Sequence, residues 1–230
     1  MNVKMGSLYR EIVFGLEDSL VSTLGAVTGI AAAAANNKTV ILAGIVYVAV
    51  ESLSMVAGSF ISSKTEAEVE MNQLEKKRER LRLKPKEELE ELDKFLKKHG
   101  LGDSERSEVL LAVSQNPKWF LEEVAVHELG ISPLAGNQPF INSFAIGISY
   151  VFGGVIPILP YFIFSGGRAI LFSMLLTLIA VVAMGILKAR VGGTSVRKNL
   201  IEVVGISVVV TLVGYFVGQL VKRVLGLSLI

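Results

Sequence analysis

No cysteine occurs in the 230 residues, which excludes disulfides, thiolate-bound metal and cysteine nucleophiles. Histidine is almost as scarce, with only His99 and His127. No HExxH, GxSxG or GxxxxGK[ST] pattern is present, so the motif-bearing equipment of zinc hydrolases, serine hydrolases and P-loop NTPases is missing. An enzyme is therefore not expected. Charge is absent over long stretches, and residues 129–167 contain no Asp, Glu, Lys or Arg at all. A cleavable signal peptide is not expected either, because the first apolar run carries carboxylates and is too long for a signal core.

The charge that is present is segregated. Of the 23 Lys and Arg, 13 lie between Lys64 and Lys118, and 16 of the 21 acids lie between Glu66 and Glu128. A soluble domain would spread them along the chain. A chain that is 51% hydrophobic with one charged block reads as a membrane protein carrying a hydrophilic insert. The net charge of +2 averages two unlike regions. Membrane lipid is the expected surrounding, and no nucleic-acid partner is expected.

Five apolar segments, near 10–35, 39–63, 140–164, 167–189 and 199–222, are long enough to cross a hydrocarbon core of about 30 Å. Turn residues separate them: Asn36-Asn37-Lys38, Ser165-Gly166-Gly167-Arg168, and Gly192-Gly193-Thr194. The fold class is therefore all-α and polytopic: helices one and two in 1–63, a cytoplasmic three-helix insert in 64–138, and helices three to five in 139–230. Lys4, Arg10, the insert and the cluster Lys188, Arg190, Arg197, Lys198 fall on one side, which the distribution of basic residues makes cytoplasmic.

The second membrane helix has no breaker before Pro85 and should run straight into the insert. Further insert helices are expected near 86–98, ending at His99-Gly100, and 104–129, capped by Asp103 and ending at Leu129-Gly130, with Pro117 a kink or break. In FGGVIPILPY (152–161) two prolines leave backbone carbonyls without partners and the two glycines are expected to loosen the turn before them, which suits either a cavity-facing kink or one made for packing.

Three carboxylates in the first apolar segment need a reason. Glu11, Gly15, Asp18, Ser22, Gly25 and Gly29 form one helical stripe, all polar or small. This stripe is expected to face protein and the opposite side (Val13, Leu16, Leu20, Leu24, Val27) lipid. On the second helix Gly44, Tyr47, Glu51, Met55, Gly58 and Ser62 share a face, with Glu51 about 18 Å from either end. Glu11, Glu17 and Glu202 lie nearer helix ends and suit the interface or a cap.

A charge at midplane is unfavourable by about 2.5–3.5 kcal/mol on insertion scales. Asp18 and Glu51 therefore require a cation or protons. Carboxylates with the Met55 thioether one turn away suit Fe²⁺ or Mn²⁺, between which the residues do not choose. Protons can replace the metal, because two carboxylates in a poorly hydrated site cannot both stay ionised. Alternation between metal and protons is the chemistry of an exchanger. A membrane metal sensor or scaffold, or a passive cation channel without proton coupling, are the alternatives.

The stretches IVFGLEDSLVSTLGAVTGIAAA, ESLSMVAGSFISSKTEAE, NPKWFLEEVAVHELGI, FAIGISYVFGGVIPILPY and GILKARVGGTSVRKNLIEVV resemble the vacuolar iron transporter family. The resemblance implies a homodimer with five membrane helices per chain, a cytoplasmic metal-binding domain, and movement of iron or manganese out of the cytosol in antiport with protons, a role in iron homeostasis. No resident cofactor is implied; Fe²⁺ or Mn²⁺ is cargo. The membrane is the cell membrane in a prokaryote and a vacuolar-type membrane in a eukaryote. The family's membrane aspartate and methionine fall on Asp18 and Met55, Glu51 fills the acid position of many prokaryotic members, and Tyr47 stands where plant members have glutamate. In the insert, the resemblance assigns metal to Glu88, Glu91 and Glu128. Two further family glutamates fall on Lys77 and Arg80 and a methionine pair on Val124 and Ala125, with Glu75, Glu79, Glu123 and His127 close enough in sequence to rebuild a site.

Overall fold

The computed structural model describes residues 3–33, 36–116 and 139–224. Among these residues every element is α-helical: α1 (Val3–Ala33), α2 (Asn37–Leu83), α3 (Pro85–Lys98), α4 (Asp103–Gln115), α5 (Pro139–Ile158), α6 (Pro160–Ile163), α7 (Gly167–Gly192) and α8 (Val196–Val224). Five spans are long and apolar enough to cross a membrane: one in each of α1, α2, α7 and α8, and one formed by α5 with α6. The protein is an all-α, multi-pass membrane protein. The chain forms two compact units, one from Met5–Phe60 with Pro139–Ile230, the other from Asn2–Lys4 with Ile61–Gln138.

Local chemistry sets the helix ends. Asn36 caps α2, its side-chain oxygen accepting the Thr39 N–H at 2.9 Å. Helix α2 then continues for 47 residues until Pro85 forces Lys84 out of the helical region, to φ −137°, ψ 56°. Pro85 itself opens α3, with Glu87 and Glu88 in the first turn and Lys97 and Lys98 in the last, each sign matched to the helix dipole. Gly100, at φ +84°, takes the left-handed conformation that closes α3. One expectation is corrected: the N-cap of α4 is Gly102, not Asp103. Its N–H is bonded by the Glu105 carboxylate at 2.9 Å, while Asp103 turns to Arg106 at 2.6 Å.

In the first unit α1 and α5 are central. In the most apolar window of each, 56% of residues are buried, against 22%, 22% and 17% for α2, α7 and α8. The expectation that one side of α1 faces lipid is therefore wrong. Leu20 packs with Val181 and Val203, and Val27 with Val40, Val48 and Tyr150. Val13 and Leu24 are also buried, whereas Phe14 is 53% exposed. A helix enclosed on nearly every side has no lipid face for its leucines.

Glycine permits that enclosure. A Cβ on Gly15 would collide with the Ile146 carbonyl, one on Gly153 with the Leu16 carbonyl, and those on Gly214 and Gly218 with the carbonyls of Gly25 and Gly29. Backbones thus meet directly where α1 crosses α5 and α8. Gly153 and Gly154 do not loosen a turn before the prolines. They lie inside α5, where Gly154 admits Val48 of α2. The Pro157 carbonyl accepts the Ser173 hydroxyl of α7 at 2.6 Å, and Asn37 donates to the carbonyls of Tyr161, at 2.8 Å, and Phe164. The carbonyls of Pro157 and Tyr161 are thereby bonded by neighbouring helices. Helix α7 presents Ala169, Ser173, Thr177, Val181, Gly185 and Ala189, one buried residue per turn, and α8 packs beside it with Leu200 seated over Gly185.

Gly218→Ala is expected to destabilise the protein by about 1–3 kcal/mol through overpacking. Gly205→Ala, on the same helix with open space around it, should stay within about 0.5 kcal/mol. Thermal unfolding of the detergent-solubilised variants compares the two.

Candidate functional site

Asp18 from α1 and Glu51 from α2 are both half-buried, and each lies within the other's electrostatic reach. Their helices bring them together because Gly44 of α2 lets Val27 and Ile158 approach its backbone, while Val48 and Ser52, on the turns beside Glu51, are buried against the bundle. Met55 packs, half-buried, against the cluster containing Val48 and Tyr150. Farther along the expected stripe Gly58 and Ser62 are exposed, so only its first half is a packing face.

Hydroxyl groups surround the carboxylate pair. Ser22 lies one turn from Asp18 and shares a 2.8 Å hydrogen bond with Tyr150 OH of α5. Tyr150 is fully buried, has the Tyr47 side chain within hydrogen-bonding reach, and feels the Asp18 charge. A cavity of about 590 Å³ starts at Ser22 and Tyr47 and is walled by Gly25, Gly29, Thr39 and Gly214 along the half of the bundle nearest the α1–α2 connection. The glycines that let the backbones meet also leave this space open.

The basic residues near the pair are engaged elsewhere. Lys188 of α7 binds Glu17 at 3.0 Å, and Arg10 binds Glu11 at 3.0 Å. Glu11 is buried and also accepts from Ser59 at 3.4 Å. Glu202 is exposed. Among the described residues no Lys or Arg pairs with Asp18 or Glu51, and no group of three or more His, Asp or Glu side chains is gathered for a metal ion. The membrane arrangement is a two-carboxylate site with hydroxyls beside it.

In the second unit Glu88, 1% exposed, meets Lys77 Nζ at 2.6 Å and Arg80 Nε at 2.8 Å. Glu91 meets the same two cations, Arg80 at 2.9 Å and Lys77 at 3.3 Å. Arg80 first, then Lys77, hold the Glu91 carboxyl below its ordinary value of 4.5 by hydrogen bonding. Glu88 and Glu91, two of the carboxylates that the resemblance assigns to metal, are thus each paired with cationic side chains. Glu75 pairs with Arg78 at 3.3 Å. Glu123, Val124, Ala125, His127 and Glu128, with Pro117 and Gly130, lie outside the described residues.

The family model described as VIT family matches residues 9–219. The chain belongs to the VIT family. It is 31% identical over 189 residues to Vacuolar iron transporter 2 of Oryza sativa subsp. japonica, an alignment covering 82% of this chain and 77% of the relative. Vacuolar iron transporter 1 of Arabidopsis thaliana is 27% identical over 219 residues, covering 95% and 88%. Protein CCC1 of Saccharomyces cerevisiae is 22% identical over 220 residues, covering 87% and 63%.

Two features of this VIT-family chain escaped sequence reasoning. Tyr150 carried a weak signal, a phenol within an uncharged segment that must find a partner if buried. The Glu17–Lys188 pair spans 171 positions, and nothing local announces it.

Because Ser22 and Tyr150 share one hydrogen bond, Ser22→Ala and Tyr150→Phe should each cost about 1 kcal/mol. The double variant should lose clearly less than their sum in thermal unfolding. The sign for Glu91 is equally definite. A carboxyl depressed on folding stabilises above its unfolded value and loses that contribution as pH falls through the folded one. Amide exchange of α3, corrected for intrinsic rates, should therefore be level above about pH 4.5 and rise only below it.

Proposed function

We propose that this protein is a secondary transporter that moves Fe²⁺, Mn²⁺ or both out of the cytosol in exchange for protons. Asp18 and Glu51 supply the charged ligands and Met55 a soft one. The supporting observation is a pair of half-buried carboxylates on two membrane helices, within electrostatic reach of each other, with no basic partner for either among the described residues. Unneutralised, such charges are unfavourable by several kcal/mol in a membrane interior. A dication supplies two positive charges at once. When it leaves, protons must take its place on the same oxygens, and this exclusion couples the two flows.

The remaining parts follow from the geometry. The cavity from Ser22 and Tyr47 toward the α1–α2 connection is the path on the non-cytoplasmic side, given the orientation set by the basic residues. Ser22, Tyr47 and Tyr150 offer neutral oxygens where the cation sheds water, an environment suited to hard or intermediate dications. Glu17 and Lys188 tie α1 to α7 beside the carboxylates and cancel each other, leaving the net negative charge on Asp18 and Glu51. Alternating access requires a second arrangement in which this cavity closes and the pair opens to the cytosol. The names of the plant relatives point to iron as cargo and a vacuolar membrane as location. A homodimer completes the reading, with exposed apolar residues of α2 such as Leu42, Val46 and Leu53 facing lipid or the second copy.

In proteoliposomes with an imposed metal gradient, Asp18→Asn and Glu51→Gln are each expected to lower metal-driven proton movement at least about tenfold, equivalent to about 1.4 kcal/mol or more. Elution volume and melting temperature should remain those of the parent protein. Undiminished exchange in both variants removes the pair from the mechanism. Metal flux without proton movement in the parent protein replaces exchange by passive conduction.

A further inference from the structure

The family resemblance implies metal held by glutamates of the insert, and the residues of α2 and α3 do not fit that role. A carboxylate ligand needs a free lone pair directed at the ion. Glu88 faces a cation at each oxygen, Lys77 Nζ at 2.6 Å and Arg80 Nε at 2.8 Å, so a metal ion brought to it meets positive charge already in place. Glu91 bridges the same two cations from one turn further along α3. Among the described residues the four side chains are joined by four ion pairs. An added dication would face two cations at close range in a place where Glu88 and Lys77 are nearly solvent-free (1% and 6% exposed). Lys77 and Arg80 stand at the positions where the resemblance places two of the metal-binding glutamates, so ligands have been exchanged for the charge that the ligands would bind.

We infer that Lys77 and Arg80 replace metal in the insert, neutralising Glu88 and Glu91 permanently and fastening α3 to α2 whether or not metal is present. Among the described residues Val113 packs with Leu81, Leu89, Leu92 and Val109, and Arg106 adds a parallel fastening between α4 and α3 through Asp93 at 2.8 Å. Where a metal-held junction tightens and loosens with the cytosolic metal level, a junction held by fixed charges does not respond. This inference is independent of transport through the membrane carboxylates.

The test uses the full-length protein in detergent, with hydrogen exchange of peptides covering 77–98 followed in excess EDTA and in saturating Mn²⁺. Exchange is expected to be the same in both conditions, and Mn²⁺-dependent protection of these peptides overturns the inference. Lys77→Met, which leaves a buried carboxylate short of a partner, should speed exchange of α3 by about tenfold or more in EDTA. Unchanged exchange in that variant shows that the cation does not hold α3, and likewise overturns it. Glu91→Gln, a change at a half-exposed position, keeps the test open if Lys77→Met does not fold. The number of Mn²⁺ ions bound per chain, counted by electron paramagnetic resonance, should equal that of the parent protein, and loss of a bound ion refutes the inference. Failure of metal transport in proteoliposomes changes none of these readouts, so the two readings fail separately.

Discussion

Direct backbone contact along α1 is the constraint on which the membrane unit depends. Where Gly15, Gly25 and Gly29 meet Ile146, Gly214 and Gly218, no side chain separates the helices. In lipid, apolar side chains gain little by leaving their surroundings, so association rests on such close van der Waals packing. Enclosing α1 carries its carboxylates inward, and Asp18 then lies beside Glu51 instead of against lipid. The same absence of side chains leaves the cavity between α1, α2 and α8. Close packing and open space are two consequences of one choice of residue.

The two units handle buried carboxylates in opposite ways. In the insert, Glu88 is matched by Lys77 and Arg80, so its charge is settled by the fold. Removing one partner from such a cluster costs more than the pair contributes in place, because a charge is then stranded. In the membrane unit, the cations within reach of α1 go to Glu11 and Glu17, and among the described residues no Lys or Arg pairs with Asp18 or Glu51.

Much of the architecture was legible in the chain itself. Uninterrupted apolar runs, the absence of a breaker between Ser59 and Pro85, and glycine after His99 fixed spans and ends by local chemistry. The midspan acids were legible for the same reason, since a charge in an apolar run stands out. Errors arose wherever a second element decided. Periodicity assigned α1 a lipid face, but Leu20 and Val27 touch α7, α8, α2 and α5. The glycines before Pro157 looked like a loosened turn and are contact points for α1 and α2. Asp103 looked like a cap, but Glu105 bonds the Gly102 N–H and Arg106 takes Asp103.

The amino-acid order alone determined that the chain crosses a membrane five times with one charged insert, and which acids stand at depth. Those outcomes depend on length, hydropathy and backbone propensity, which are properties of neighbours in sequence. Tertiary structure alone decided that Asp18 comes within electrostatic reach of Glu51, that Tyr150 joins Ser22, that Lys188 goes to Glu17, and that Lys77 and Arg80 claim Glu88. Electrostatic and hydrogen-bond partners are chosen by distance in space, and that distance exists only once the helices have packed.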